Sequence, residues 1–427
     1  MTIAQDLAAW GLGSIDAPAE VRRAAARHLI DGYGCALAAA RRGDMRAAVR
    51  LAVADAGDDA GVIGSDARAA APVAALANGA LVHALDYDDT HTEALVHATA
   101  AVLPTVLAVG EETGASHEAM LGAAIAGYEV VIALGSAVRH GFHARGFHAT
   151  SVCGVFASAL IAARLYGLRE SRAVDALGIA GSMAAGSLEF LSTGSSTKQL
   201  HPGIAGMNGI TAARLAGAGA EGPASIIEGE HGLFRLYAGA TVESLSPLGS
   251  TWETTRITIK PYPACQLSHA SLDALLAAGV PADDVASLTF ELPADSIAIV
   301  CEPAEVKRAP RTPYEGKFSL PYCAAALLLD GGLTLESFDP AALARAGVLQ
   351  LAEGVSARPR LFDGAPADAP GIVEARMLDG QIVRAEVPTS RGGPSHPLTD
   401  DELLTKFEAN AGGTEAGPLV AFLLSVL

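Results

Sequence analysis

A mainly helical chain with a smaller α/β domain is what this sequence predicts, and three observations carry the prediction. At 427 residues the chain exceeds the size at which one core usually keeps growing, so two domains are expected. Half of the residues are hydrophobic and only 5% aromatic, with Ala and Gly dominant; small side chains let helices approach closely. Past Thr251 the texture turns to alternating, β-rich runs. The expected division is an all-helical domain over 1–250, completed by 396–427, and an α/β lid domain over 251–395.

In chain order, Asp16 followed by APAEVRRAAARHLIDGYGCALAAA supplies an N-cap, a first-turn proline and an apolar stripe, the marks of a helix start. The runs LAVADAG, AAAPVAALANGAL and AAVLPTVLAVG read as buried small-residue helices. HEAMLGAAIAGYEVVIALGSAV, SVCGVFASALIAARLYG and SRAVDALGIAGSMAAGSLEFL fit further helices. Between them, RHGFHARGFHAT and STGSSTKQLHPG are too polar and turn-rich for helix interiors and read as loops, where chemistry tends to sit. Beyond Thr251, RITIK, VASLTFELP and GIVEARMLDGQIVRAEVP predict strands, with Asp379-Gly380 as the hairpin turn of the last pair. SHASLDALLAAG and SLPYCAAALLLDGG predict helices covering that sheet. PLTDDELLTKFEANAGG and PLVAFLLSVL predict two closing helices that return to the helical body.

Composition narrows function. A formal charge of −18 disfavours nucleic acid and anionic membranes as partners, since both demand basic patches. Five scattered cysteines without a C-x-x-C pair suggest reduced thiols and a cytoplasmic location. The start, MTIAQDLAAW, lacks a basic segment leading into an apolar run, and no uncharged stretch reaches membrane-spanning length. GAGAEG at 217–222 satisfies G-x-G-x-x-G but follows a helical pattern instead of a strand, so it is read as a helix end and no nucleotide cofactor is expected.

The densest chemistry lies in His83-Ala-Leu-Asp86-Tyr-Asp88-Asp89-Thr90-His91, closed by His97. Charge set between apolar helices is costly unless it serves a site. If the segment is helical, His83, Asp86 and Thr90 share one face while Asp88 and Asp89 point elsewhere. The bland readings are that Asp88 or Asp89 caps the next helix and that His91 sits at the surface. A hard-metal site is also conceivable for clustered Asp and His, but an EF-hand is excluded, because its sixth position needs Gly and its twelfth Glu. In GFHATS, His148 follows a flexible turn just before a helix, which leaves His140 and His143 as the surface or capping histidines.

Only five lysines exist, and none precedes Lys198. Lys198 and Lys260 each lie in a Gly/Pro-constrained segment with a histidine further on, His201 and His269, and a flexible ammonium suits a carboxylate ligand. Lys307 and Lys406 read as solvated surface lysines. Tyr322 sits on an amphipathic helix, where packing is the usual role of tyrosine.

Taken in order, HALDYDDTH with His97, GFHATS, STKQLHPG, EGEHGLFRLY, IKPYPACQLSH, KFSLPYCAAALLLDGG and HPLTDDELLTKF resemble the MmgE/PrpD family across nearly the whole chain. The resemblance implies an all-helical domain, an α/β lid, a homodimer, and lyase or isomerase chemistry on small carboxylates: 2-methylcitrate dehydration, cis-aconitate decarboxylation or iminodisuccinate epimerisation. It places Asp86, Thr90, His97, His148, Lys198, Lys260 and Tyr322 at the site. This chain has Cys265 where the decarboxylase branch carries a histidine, followed by His269, and one extra residue between Thr90 and His97. It is also shorter than the longer dehydratases and lacks their W-G-H-P-S-D-like segment.

The expected activity is a metal-independent lyase of the dehydratase type on a 2-methylcitrate-like di- or tricarboxylate, through α-proton abstraction. His97 or His148 would take the proton, Asp86 would orient a histidine or lysine, Thr90 would donate a hydrogen bond, and Tyr322 would act as acid. Lys198 and Lys260, one from each domain, would bind carboxylates together with His201, His269 and Cys265, and no cofactor is called for. Epimerisation and cis-aconitate-type decarboxylation are the alternatives within the family. A metal-dependent helical enzyme or a non-catalytic binding protein are the readings outside it.

Overall fold

The computed structural model describes every residue of 1–427 except Ala56, Gly364 and Ala365. It divides into two compact units, Met1–Ile259 with Thr399–Leu427, and Lys260–Leu398. The helix expected over LAVADAG is described from Arg46 to Asp55; Ala56, inside that run, lies outside the described residues.

In the first unit, small residues do what composition suggested. The helix Thr197–Gly217 packs against both Ala71–His83 and Ala149–Leu165. At the first crossing the backbones nearly touch: a Cβ on Gly203 would lie 2.1 Å from the Leu76 carbonyl oxygen, and one on Gly79 would lie 2.6 Å from the Gly203 Cα. Only glycine fits there, and this approach brings the His83 end of one helix near the His201 turn of the other. Residues 149–163 are buried without a break. His117–Ser136 is long and apolar enough to cross a membrane by length and composition, yet 78% of that window is buried inside the protein. Its Glu129 is fully engaged: Oε1 accepts from the Thr254 amide (2.8 Å) and hydroxyl (2.6 Å), and Oε2 from the Glu253 amide (3.1 Å).

Those bonds explain why the division falls after Ile259 instead of after Ser250. They also correct one element. RITIK joins no sheet; Thr258 instead pairs with Thr90 through two backbone hydrogen bonds, of 3.0 and 2.9 Å. A second correction concerns STGSSTKQLHPG, expected as a loop. From Thr197 onward it is the first turns of Thr197–Gly217, with Pro202 inside the helix. Propensity argued against a helix there, but packing of the following small residues outweighs the one ladder bond that Pro202 cannot donate. The closing helices Asp400–Ala411 and Pro418–Leu424 belong to the same unit; Arg23 and Arg27 both pair with Asp400, the first residue of that pair of helices.

The second unit holds a four-stranded sheet in the order Val355–Pro359, Val285–Leu292, Gly371–Met377, Ile382–Val387. The first pair is parallel and the other two antiparallel. Asp379-Gly380 turns the last hairpin as expected: Gly380 has φ +90° and Asp379 Oδ1 accepts from the Gln381 amide at 2.8 Å. His269–Ala278 and Leu320–Asp330 supply the helical cover, around a core that includes Phe290, Leu288, Leu320 and Val373.

Candidate active site

The acidic loop is not helical. Ala71–His83 ends at His83, and Asp86 takes a left-handed conformation (φ 53°). A non-glycine residue there costs roughly 1–3 kcal/mol and persists only when its surroundings hold it. Two contacts do so visibly. Lys198 Nζ donates to Asp86 Oδ1 at 3.0 Å, and Gln199 Nε2 donates to the Ala84 carbonyl at 2.7 Å. The expectation that Asp86 orients a histidine or lysine resolves to Lys198.

Because the chain turns here, His83, Asp86 and Thr90 do not form one helical face, and Asp88 and Asp89 point inward instead of elsewhere. Both are fully buried. Asp88 Oδ2 accepts from His83 Nδ1 at 2.8 Å and lies 3.6 Å from His97 Nδ1. Asp89 serves as the helix cap that its sequence position allowed: its carboxylate takes the Thr99 amide (3.1 Å) and the Thr99 hydroxyl at the start of Ala98–Thr113. Burial pushes the Asp89 carboxyl up to about 8, with the Thr99 donors acting in the opposite sense, so it is largely protonated at neutral pH. His91 is buried as well, its Nε2 3.1 Å from Glu253 Oε2, which corrects the surface reading.

Four imidazoles converge beside this loop. His97 heads Ala98–Thr113, and its Nδ1 lies 2.9 Å from the Asp89 carbonyl and 3.3 Å from Thr90 Oγ1. A carbonyl only accepts, so Nδ1 carries a proton and donates it there. His148 heads Ala149–Leu165 and faces His201 with an Nδ1–Nδ1 separation of 3.2 Å. The His83 ring lies 4.5 Å from that of His97 and 5.8 Å from that of His148, and its Nε2, fully buried, meets no hydrogen-bond partner among the described residues. Burial, with the nearby His83 and Lys198 charges, holds His148 well below the usual imidazole value and lowers His201 to about 4. Burial, with the His140 and Lys198 charges, brings His143 to about 4 as well; its ring stands 6.1 Å from that of His148, so it is part of this neighbourhood and not a surface histidine. His140 is exposed, as expected.

Ligand atoms of His83, His97 and His148 all lie within 4.8 Å of one another. An all-imidazole set would suit a borderline ion such as Zn²⁺, not the Mg²⁺ that an Asp-rich site would favour. Next to the cluster opens a cavity of about 320 Å³ lined by Ser151, Glu189, Phe190, Ser195, Thr197 and His201. Ser195 and Thr197 flank the N-terminus of the helix that carries Lys198, where the helix dipole favours an anion.

The second-unit candidates are placed differently. Lys260 is buried at the head of its unit. Tyr322 is buried and its hydroxyl donates to the Ser337 carbonyl at 2.5 Å, the packing role open to it from the sequence; an acid role would require that bond to break. His269 Nε2 lies 3.0 Å from the Ala264 carbonyl, edge-on to Tyr262. Cys265 is buried, with its amide bonded to the Lys317 carbonyl. Lys307, half-buried, donates to the Ile299 and Phe318 carbonyls, and Lys406 is buried; neither is the solvated surface lysine expected.

The sequence points to His83 without a role of its own, to Asp88 only as a cap or a metal ligand, and not to Asp31. The i, i+5 spacing of His83 and Asp88 signals nothing in a helix; it becomes a contact only through the turn at Asp86.

Residues 6–244 match the MmgE/PrpD N-terminal domain and residues 262–416 the MmgE/PrpD C-terminal domain. The chain belongs to the MmgE/PrpD family. Among its relatives, the human cis-aconitate decarboxylase is 30% identical over 385 residues, covering 85% of this chain and 77% of that protein. The Aspergillus terreus cis-aconitate decarboxylase is 30% identical over 292 residues, 64% of this chain and 59% of that one. A cis-aconitate decarboxylase-like protein, oryM, of Aspergillus oryzae is 27% identical over 423 residues, 92% and 86% of the two chains. It is thus an MmgE/PrpD family enzyme, homologous to cis-aconitate decarboxylases.

Proposed function

We propose that the protein is a metal-independent carboxy-lyase for a small unsaturated tricarboxylate of the cis-aconitate type. One observation carries the reading: the Lys198–Asp86 pair stands at a helix N-terminus beside an imidazole cluster in which His83 is backed by Asp88 and keeps an unpartnered, buried Nε2. The similarity to cis-aconitate decarboxylases supports it over the dehydratase expected first.

The chemistry follows from charge. When the carboxymethyl arm loses CO₂, the C–C bonding pair becomes a new C=C, the former C=C pair moves onto the carbon that bears a remaining carboxylate, and negative charge arrives there. Water stabilises such an anion poorly, whereas a fixed ammonium and a helix N-terminus stabilise it well. Lys198 and the N-terminus of its helix hold a carboxylate. His83, held at Nδ1 by Asp88, delivers a proton from Nε2 to the new carbanion. His97 and His148 take up the positions of hydrogen-bonding or proton-transferring neighbours.

The test is NMR of the purified protein with cis-aconitate in D₂O. The expected result is CO₂ release and a methylidene dicarboxylate carrying one deuterium, at a rate unchanged by chelator. Loss of activity to chelator, restored by Zn²⁺, would instead assign the three imidazoles to a metal. A second reading, dehydration, is favoured by Cys265 standing where the decarboxylase branch has a histidine; vinyl signals from a citrate-like hydroxy acid without CO₂ would establish it. No turnover of citrate-like, aconitate-like or amino-dicarboxylate compounds would sink both. Homodimerisation, expected from the family resemblance, is read in the same preparation by sedimentation.

A further inference from the structure

Lys406 is a lysine that nothing in the chemistry above uses, and it is buried in the same unit as the candidate site. It projects from Asp400–Ala411, the helix contributed by the C-terminal segment. Its Nζ makes an ion pair with Asp31 Oδ1 at 2.7 Å, donates to the Tyr87 carbonyl at 3.0 Å and lies 3.8 Å from the centre of the Tyr87 ring. Asp31 is itself fully buried, within Ala19–Arg42. An ion pair removed from water adds little net stability over an apolar pair of the same size, so its presence asks for another reason.

Tyr87 is that reason. It lies between Asp86, which holds Lys198, and Asp88, which holds His83. Asp86 sits in a backbone region that non-glycine residues avoid, so the loop needs clamps on both sides of the turn. Lys198 and Gln199 clamp the side before Tyr87; Lys406 clamps Tyr87 itself by carbonyl and ring at once.

We propose that Lys406, with Asp31 as its counter-ion, is a positioning residue: it locks Tyr87 so that Asp86 and Asp88 present Lys198 and His83 to the substrate. The lock touches no reacting atom. It rests on the functional reading above only for its kinetic consequence.

The experiment compares the wild type with Lys406→Met and with Asp31→Asn/Lys406→Met, the double variant removing both charges so that no buried carboxylate is stranded. The double variant is expected to unfold cooperatively within a few degrees of wild type while kcat on cis-aconitate falls tenfold or more and the pH profile of kcat/KM shifts by at least half a unit. A purely stabilising pair would leave both unchanged in the folded enzyme, and that result overturns the proposal. Amide hydrogen exchange on the same proteins needs no substrate. At residues 86–89 it is expected to accelerate at least tenfold, with Ala149–Leu165 unaffected, whether or not any carboxylate is turned over. Unchanged exchange in the loop refutes the lock even if the wild type is an active decarboxylase. Inactive wild type with accelerated exchange refutes only the functional reading.

Discussion

The two units hold their candidate residues in different surroundings. The helical unit packs imidazoles, carboxylates, the half-buried Lys198 and the buried Lys406 against one another; among the described residues His83 Nε2 meets no partner, and burial raises the Asp89 carboxyl to about 8. In the α/β unit, the hydroxyl of Tyr322 and the ring of His269 are both engaged with backbone carbonyls. Unsatisfied or charge-shifted groups are costly and cluster where chemistry needs them, whereas satisfied ones hold a fold together. On the proposed reading, proton transfer and carboxylate capture belong to the helical unit.

The strongest attempt to break that contrast is His83→Asn, whose amide can still donate to Asp88 in place of Nδ1 but offers nothing in place of Nε2. Activity is expected to fall on the order of 10²–10⁴-fold, the usual range for a positioned acid or base, with the thermal midpoint nearly unchanged. Activity within threefold of wild type would remove His83 from the chemistry. Next comes Lys198→Met, for which kcat/KM is expected to fall on the order of 10²–10³-fold, mostly through KM, as befits loss of a desolvated charge partner. A fall in kcat with KM unchanged would move Lys198 from binding to catalysis.

How much of this was legible beforehand differs between the same two units. The helical body, the mixed sheet, the Asp379-Gly380 turn and the return of the C-terminal helices follow from local pattern, whereas the gathering of Asp86, Thr90, His97, His148 and Lys198 was implied by the family resemblance. What local pattern could not supply was long-range. Lys406 looks like a surface lysine because its partners, Asp31 and Tyr87, lie more than three hundred residues away in the chain. Helical continuation through 198–202 was hidden by Pro202, and the inward turn of Asp88 by the unusual backbone at Asp86. RITIK has strand composition, but its partner is the loop at Thr90.

The contrast also predicts how stability responds to pH. His28 is lowered to about 3, and His143 and His201 to about 4, all mainly by burial, and His148 lies well below its ordinary value. Unfolded, each binds a proton from about pH 6.5 downward, so between about 6.5 and 4 the unfolded chain holds more protons and stability falls with acid, by ~1.4 kcal/mol per pH unit for each group. Asp89, raised to about 8, acts in the other sense: the folded form holds the extra proton between about 4 and 8, so its contribution is lost as pH rises. Trp10 and Trp252 both belong to the helical unit, their rings 6.4 Å apart, so tryptophan fluorescence during urea unfolding reports on it. The expected curve drops on acidification from pH 6.5 to 4.5. Asp89→Asn is expected to flatten the decline on the alkaline side, and a decline that persists would show that Asp89 ionises freely.

The smallest effect is the most discriminating for the α/β unit. Tyr322→Phe removes the hydroxyl that satisfies the buried Ser337 carbonyl and nothing else in that core. Leaving such a carbonyl unpaired costs roughly 1–3 kcal/mol, which equilibrium unfolding would detect, while kcat and KM are expected to stay within threefold. The opposite outcome is just as clear. Should turnover fall a hundredfold with stability intact, the tyrosine hydroxyl must leave Ser337 during the reaction, and the α/β unit would share in the proton transfer proposed for the helical unit.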